Sequence, residues 1–421
     1  MATSSNAFST ANPHALACIL EASETRSIIS ATDIFDAQGI KLWAARQPVT
    51  ADLQRRLADR KLREPLESCL IAEDGVSPKV LCTALAALAD GDSAINLVVK
   101  PHLARLLREA AQLEIQPAAQ LLLTAAQTAR TTLFDHAVAA MALNGALTAA
   151  AGGDTPAVRS AMLAGLLHDL GEVYIAPQFG EADADRELDF VSYQQLVVHP
   201  HVGYLLIRQL TQYPSVIAQA VAEHHEHLDG SGYPRALQAT EISPQGRLLA
   251  VTEATLNALR SPYARLLHAS VALRAVPGEY DSGWIGQISS LAALQGAAPA
   301  VMETPDIQAR LDAIEQLLIG AEHAATSLNA QPTSSALHGA MELATFLIGR
   351  VRTGWNECGL WGHPAPTAAN AAEIEAIEDE LYRRLRGVQR AVMLRAGSLP
   401  EADASTLSTF CDGLVMGCGA D

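Results

Sequence analysis

Aromatic residues are scarce, at 5% of 421, whereas hydrophobic residues reach 49% and are dominated by Ala and Leu. That balance excludes wholesale disorder and favours packed helices. Basic residues are also few: 29 Lys and Arg stand against 46 Asp and Glu, a net charge of −17. Such an acidic body repels a nucleic-acid backbone or an anionic membrane unless a local cation reverses the field, so neither DNA nor membrane is an expected partner. The six cysteines (Cys18, Cys69, Cys82, Cys358, Cys411 and Cys418) include no C-x-x-C pair. A disulfide framework or thiolate zinc site fits poorly, and reduced thiols fit better. The first basic residue is Arg26, with no basic-then-apolar stretch before it. No uncharged apolar run reaches the roughly 18 residues of a membrane span, so a soluble, cytoplasmic protein is expected.

At about 150 residues per domain the length predicts two or three domains. The Ser-, Thr- and Asn-rich opening predicts a flexible N-terminus over residues 1–25. Residues 26–118 read as a small α+β regulatory module. In it the segments Ala31–Asp36 and Ile40–Trp43 form two short strands about a turn at Gly39, and Thr50 caps a helix that buries Leu53 and Leu57. Residues 119–300 carry helical periodicity, with candidate helices over 119–130, 133–150, 157–170, 190–198, 201–211, 214–227 and 245–260. Gly152-Gly153-Asp154-Thr155-Pro156, Pro200, Pro214 and the string Asp229 to Pro234 supply the breaks. A distinct Ala-rich helical region occupies 301–421, where Trp355, Trp361 and His363 read as a packed turn rather than a site. The expected fold is mainly α, a helical bundle with a small N-terminal α+β module and a C-terminal helical region.

Seven of the 13 histidines (His136, His168, His199, His201, His224, His225 and His227) fall between residues 136 and 227. A lone histidine on a helix is usually a satisfied core or surface residue, but the cluster shifts that balance towards metal binding. His168-Asp169 closes an apolar helix (Met162, Leu163, Leu166, Leu167) just before Gly171, placing a nitrogen and a carboxylate ligand side by side. His224 and His225 would point about 100° apart on a helix, so the pair can address two ions, or an ion and a bound phosphate.

The string His168-Asp169-Leu170-Gly171, followed by His224-His225-Glu226-His227-Leu228-Asp229-Gly230-Ser231-Gly232-Tyr233-Pro234, resembles the HD-GYP family, a branch of the HD metal-dependent phosphohydrolases. The likeness extends over roughly residues 130–280. His136 stands at the family's first helical histidine, and His199-Pro200 with Gly203 matches its His-Pro-x-x-Gly segment. Arg247 to Glu253 is similar to the segment that ends in the last ligand, and Ser261-Pro262-Tyr263 to a later Arg-Pro-Tyr element. The Asp33-to-Pro48 hairpin also looks like modules that precede such domains.

The resemblance implies an HD-type bundle around two divalent ions, iron or manganese, that activate water to hydrolyse cyclic di-GMP. It assigns one ion to His136, His168, Asp169 and Glu253, and the second to His199, His224 and His225, with Asp169 bridging. His168 and Asp169 are then the catalytic pair. Glu226, Asp229, Gly230, Gly232, Tyr233 and Pro234 form the motif loop, a contact surface for a diguanylate-cyclase-type partner, and a homodimer is compatible.

Four departures stand out. Glu172 occupies the place of a substrate-contacting Lys, and Thr132 that of a Glu serving a third ion. Glu253 replaces an Asp. Ser261 and Ala264 replace cations, leaving Arg260 and Arg265 as phosphate clamps beside Glu172 in the substrate-binding set. Three readings follow: a cyclic-dinucleotide phosphodiesterase, a degenerate signalling module that binds metal and ligand or partner without turnover, and a phosphohydrolase of another phosphoester.

Overall fold

The computed structural model describes residues 7–177, 195–260, 264–295, 304–329, 334–357, 371–395 and 399–415. Among these, the chain divides into two compact units, one of 7–177 with 195–256 and one from 257 onward.

Residues 7–25 are ordered into helix α1 (Pro13–Ser23), where a flexible end was expected. The Asn12 side chain accepts from the backbone N–H of His14 and Ala15, Pro13 starts the first turn, and Leu16, Cys18 and Ile19 are buried. Strands β1 (Ile28–Ser30) and β2 (Ile34–Phe35) follow, then β3 (Lys41–Trp43). The β2–β3 hairpin is the one the sequence suggests, with Gly39 at φ +82° in its turn. A second antiparallel pair joins β1 to β4 (Leu70–Ala72), with Ile29 opposite Ile71. Helix α2 (Ala51–Leu57) buries Leu53 and Leu57, although the Thr50 side chain makes no capping bond. A one-turn helix, α3 (Leu66–Cys69), leads into β4, and α4 (Pro78–Asp90), α5 (Asn96–Val99) and α6 (Leu103–Ala110) close this part.

The helices that matter for function are α7 (Pro117–Ala129), α8 (Thr131–Ala150) and α9 (Thr155–Leu167), a 3-10 turn over Leu170–Tyr174, α10 (His199–Leu210), α11 (Ser215–Glu223) and α12 (Pro244–Ala258). Pro200 starts a helix rather than breaking one, because a first-turn N–H has no intrahelical partner to lose. Among the described residues, α8 is the one helix long and apolar enough to cross a membrane, and 78% of that stretch is buried inside the protein. It is a core helix. A Cβ at Gly165 would lie 2.5 Å from the Ala140 carbonyl oxygen, and one at Gly145 would lie 2.5 Å from Met162 Cγ. Bare glycine therefore lets α8 and α9 pack with their backbones nearly touching.

The second unit is helical: α13 (Leu266–Arg274), α14 (Ser282–Leu294), α15 (Thr304–Asn329), α16 (Ser335–Glu357), α17 (Ala371–Arg395) and α18 (Glu401–Val415). Trp355 is not in a turn. It lies in α16, only 1% exposed, where its indole N–H donates to Glu315 Oε2 at 2.8 Å. Trp361 and His363 lie outside the described residues. Among the described residues, Cys18, Cys69, Cys82 and Cys411 form no disulfide.

Candidate metal centre

Close backbone contacts bring the site together. A Cβ at Gly171 would overlap the His199 carbonyl oxygen, at 2.0 Å, and approach the Gly203 nitrogen at 2.9 Å. Glycine at 171 and at 203 thus lets the 3-10 turn after Asp169 lie directly on α10, which carries His199. The α8–α9 crossing does the same for His136 and His168. His224 and His225 stand just past the end of α11, and Glu253 projects from α12.

Six of the seven expected ligands are buried and the seventh, His136, is half-buried. They form two sets whose ligand atoms lie within 4.8 Å of one another: His136, His168, Asp169 and Glu253, and Asp169, His199, His224 and His225. Asp169 belongs to both through different oxygens. Its Oδ2 is 3.0 Å from His168 Nε2 and 3.5 Å from His136 Nε2, while its Oδ1 is 3.3 Å from His224 Nε2 and 3.4 Å from His199 Nε2. Glu253 Oε2 closes the first set, 2.8 Å from His136 Nε2 and 3.2 Å from His168 Nε2.

The histidine tautomers decide what this arrangement wants. Nδ1 of His168 donates to Gly165 O at 2.8 Å, Nδ1 of His199 to Leu196 O at 2.6 Å, and Nδ1 of His224 to Val221 O at 2.6 Å. A carbonyl only accepts, so the proton of each neutral ring sits on Nδ1 and Nε2 presents a lone pair. Lone pairs then face lone pairs: His199 Nε2 is 3.0 Å from His224 Nε2, and both face a carboxylate oxygen. Asp169 Oδ1 is buried and, among the described residues, has no partner of hydrogen-bonding geometry. Convergent acceptors of this kind need a cation, and backbone bonds that fix the far ring nitrogen are the usual outer support of metal-binding histidines. The donor set of imidazoles and carboxylates fits divalent metal ions.

The electrostatics agree. Burial alone would lower His136, yet the Glu253 carboxylate and then Asp169 hold it above its ordinary value. For His168, Asp169 and Glu253 overcome burial and push it well above that value. Burial would raise Asp169, but His168, His199 and His224 hold it well below the carboxylate range, and His136 with His168 does the same for Glu253. His224, pressed by burial and by His225, falls to about 3 and stays neutral at any physiological pH. In the metal-free protein these shifts favour charged imidazoles at His136 and His168 beside the two carboxylates.

The motif loop folds onto this centre. The Tyr233 ring stacks on His225 at 4.5 Å between centroids, and its N–H donates to the His225 carbonyl at 3.0 Å. Gly230 takes φ +81°, and a Cβ at Gly232 would lie 2.4 Å from His225 O. Asp229 Oδ1 accepts from the N–H and hydroxyl of Ser231, and the Tyr233–Pro234 peptide is cis. Glu226 is internal: its carboxylate accepts the N–H groups of Arg235 and Leu237 at 2.7 and 2.8 Å. Glu172 is also buried, 2% exposed, in the 3-10 turn. Arg260 and Arg265 belong to the second unit, where Arg265 Nη2 donates to Gln295 O at 3.2 Å. The Ser261-Pro262-Tyr263 element lies outside the described residues, and Ala264 is half-buried.

Several supporting residues escaped the sequence reading. Arg130 Nη2 donates to Ile175 O at 2.7 Å and Nη1 to Glu172 O, clasping the 3-10 turn, while Tyr174 in that turn donates its hydroxyl to buried Glu67. Glu223, just before the histidine pair, accepts from the N–H and hydroxyl of Ser243 at 2.9 and 2.6 Å. A glutamate on each side of His224-His225 (Glu223 and Glu226) was the one visible signal.

Residues 102–287 match the HD domain family model. Over 171 residues the chain is 31% identical to the cyclic di-GMP phosphodiesterase PA4108 of Pseudomonas aeruginosa, a match covering 39% of this chain and 40% of that protein. Over 92 residues it is 32% identical to 3'3'-cGAMP-specific phosphodiesterase 1 of Vibrio cholerae, covering 22% of this chain and 20% of that protein. The matches thus span less than half the length of these curated relatives. The structure of Bd1817, an HDG"Y"P protein from Bdellovibrio bacteriovorus, aligns with a TM-score of 0.34 and 14% identity over 65% of this chain and 98% of that one, too low a score to carry an argument. The HD domain model covers residues 102–287, and within it the His168-Asp169 pair and the His224-to-Pro234 string are similar to the HD-GYP branch of that family.

Proposed function

We propose that the chain is a metal-dependent phosphodiesterase that hydrolyses cyclic di-GMP or a related cyclic dinucleotide such as 3'3'-cGAMP. The observation that carries this reading is Asp169, whose two buried carboxylate oxygens face two separate histidine sets. His136, His168, Asp169 and Glu253 would hold one ion, and His199, His224, His225 and Asp169 a second; iron or manganese suits these donors. When bound, such a pair supplies charge neutralisation of the phosphodiester and activation of water. The protein's part is preorganisation. The backbone carbonyls of Gly165, Leu196 and Val221 hold three rings with Nε2 inward, and Tyr233 covers one face of His225. The relatives named for cyclic-dinucleotide hydrolysis support the substrate class.

A second reading, binding without turnover, is favoured by one feature: buried Glu172 stands where the family resemblance implies a substrate-contacting Lys. One preparation decides between them. Protein grown in iron- and manganese-replete medium is assayed for metal content and for cleavage of cyclic di-GMP and 3'3'-cGAMP, with His168→Ala alongside. Linear dinucleotide from wild type and none from the variant is the expected result. Full metal occupancy with both substrates intact overturns the enzymatic reading in favour of a signalling module whose Tyr233 loop recruits a diguanylate-cyclase-type partner.

A further inference from the structure

A buried polar link away from the ligands joins the three helices that carry the first ligand set. Asn144 on α8 and Thr252 on α12 are both fully buried, at 0% exposure. Asn144 Nδ2 donates to the Ala161 carbonyl on α9 at 2.8 Å, and Asn144 Oδ1 accepts from the Thr252 hydroxyl at 2.8 Å. One amide thus holds α8, the helix of His136, against α9, which leads into His168, and against the residue immediately before Glu253. Among the described residues, the Asn144 and Thr252 side chains bond to neither α10 nor α11, which carry or precede the ligands of the second set.

Glu253 makes such a tether consequential. Its Oε2 must reach the Nε2 atoms of both His136 and His168, 2.8 and 3.2 Å away, on a side chain with three torsions. A small axial or rotational slip of α12 would swing that oxygen away from both rings. The Thr252–Asn144 bond opposes such a slip one residue from the ligand. Buried amides and hydroxyls are costly unless paired, so the arrangement is satisfied in one register of the three helices and unsatisfied in neighbouring ones.

We propose that Asn144 and Thr252 are positioning residues for the ion held by His136, His168, Asp169 and Glu253, acting through the register of Glu253 and leaving the His199–His224–His225 ion untouched. This rests on the two-ion reading above. Outer-sphere partners of metal ligands change affinity by about 10- to 100-fold, and here that change falls on one ion of the two.

The test is calorimetric titration of Mn²⁺ into the chelator-stripped full-length chain. Wild type is expected to take up two ions. Thr252→Val, nearly the same shape without the hydroxyl, should weaken one step by about tenfold or more and leave the other within about twofold, while Thr252→Ser, which keeps the hydroxyl, should restore wild-type binding. Should Thr252→Val fail to give a native circular dichroism spectrum, Thr252→Ala is read in the same way. Two unchanged steps, an equal weakening of both, or a Ser variant as weak as the Val variant overturns the inference while the two-ion reading stands. A wild type that binds fewer than two ions removes that reading, and this inference with it.

Discussion

In each unit two of the buried carboxylates share their neutralising partners, and the two pairs are neutralised in opposite ways. In the second unit Glu279 and Glu380, 2% and 3% exposed, share the guanidinium of Arg384, which bonds both and also donates to Ala272 O at 3.0 Å. Burial opposes that charge, but the two glutamates hold Arg384 well above its ordinary range. In the first unit Asp169 and Glu253, 3% and 2% exposed, face imidazoles whose protons are already committed to backbone carbonyls at His168, His199 and His224. One carboxylate pair brings its own permanent cation; the other is built to take one from solution. Buried acid is therefore not by itself the mark of a functional site. The tautomers of its neighbours make the distinction.

The comparison breaks most sharply at Asp169. Asp169→Asn removes the charge shared by the two sets, and metal uptake at both should fall by more than the ~100-fold that loss of an outer partner produces; elemental analysis after gel filtration checks it. Retention of both ions would mean that the carboxylate is structural, as Glu279 is. The mirror experiment is Arg384→Met. Leaving two buried carboxylates without their cation should cost about 3–5 kcal/mol of stability in the second unit, seen as a lower urea midpoint with metal content unchanged.

Acidity sharpens the contrast further. In metal-free protein the raised His136 and His168 contribute stability that is complete below the ordinary imidazole value of 6.5 and is lost as pH rises through their higher folded values. The lowered Asp169 and Glu253 contribute stability present above their ordinary values of 3.8 and 4.5 and lost as pH falls through the lower folded ones. The chelated chain should thus melt highest at about pH 5–6 and lower towards pH 9, whereas the metal-loaded chain keeps its melting temperature over that alkaline span. Parallel curves for the two forms would contradict a metal-for-proton exchange. The smallest effect is expected at Tyr233: Tyr233→Ala removes the stack on His225 and should cost about 0.5–1.5 kcal/mol, with metal stoichiometry kept.

How much was legible in the chain follows from how locally each feature is written. His168-Asp169 and the His224-to-Pro234 string are contiguous, so their meaning survives without a fold. His136 and Glu253 lie 117 positions apart and were paired only through the family resemblance. The Asn144–Thr252 bond spans 108 positions, and neither residue type in a helix signals a partner, so nothing local announces it. Helix α1 was misjudged because the Ser-, Thr- and Asn-rich opening reads as frayed, whereas its buried Leu16, Cys18 and Ile19 pack where only the fold supplies a surface. Trp355 was misplaced for a similar reason: the glycines around it suggested a break, while burial of its ring and the bond to Glu315 keep it in a helix.

The sequence by itself determined the helical class, the His168-Asp169 and His224-His225 pairs of the candidate site and the glycines that permit close backbone contact, because composition, motif and the absence of a Cβ are properties of single residues or short strings. The tertiary structure alone decided that the two oxygens of Asp169 face different histidine sets, that three ring protons point outward to carbonyls, and that Arg384 neutralises one buried acidic pair while imidazoles face the other. Those are matters of direction and distance between residues remote in the chain, and only packing assigns them.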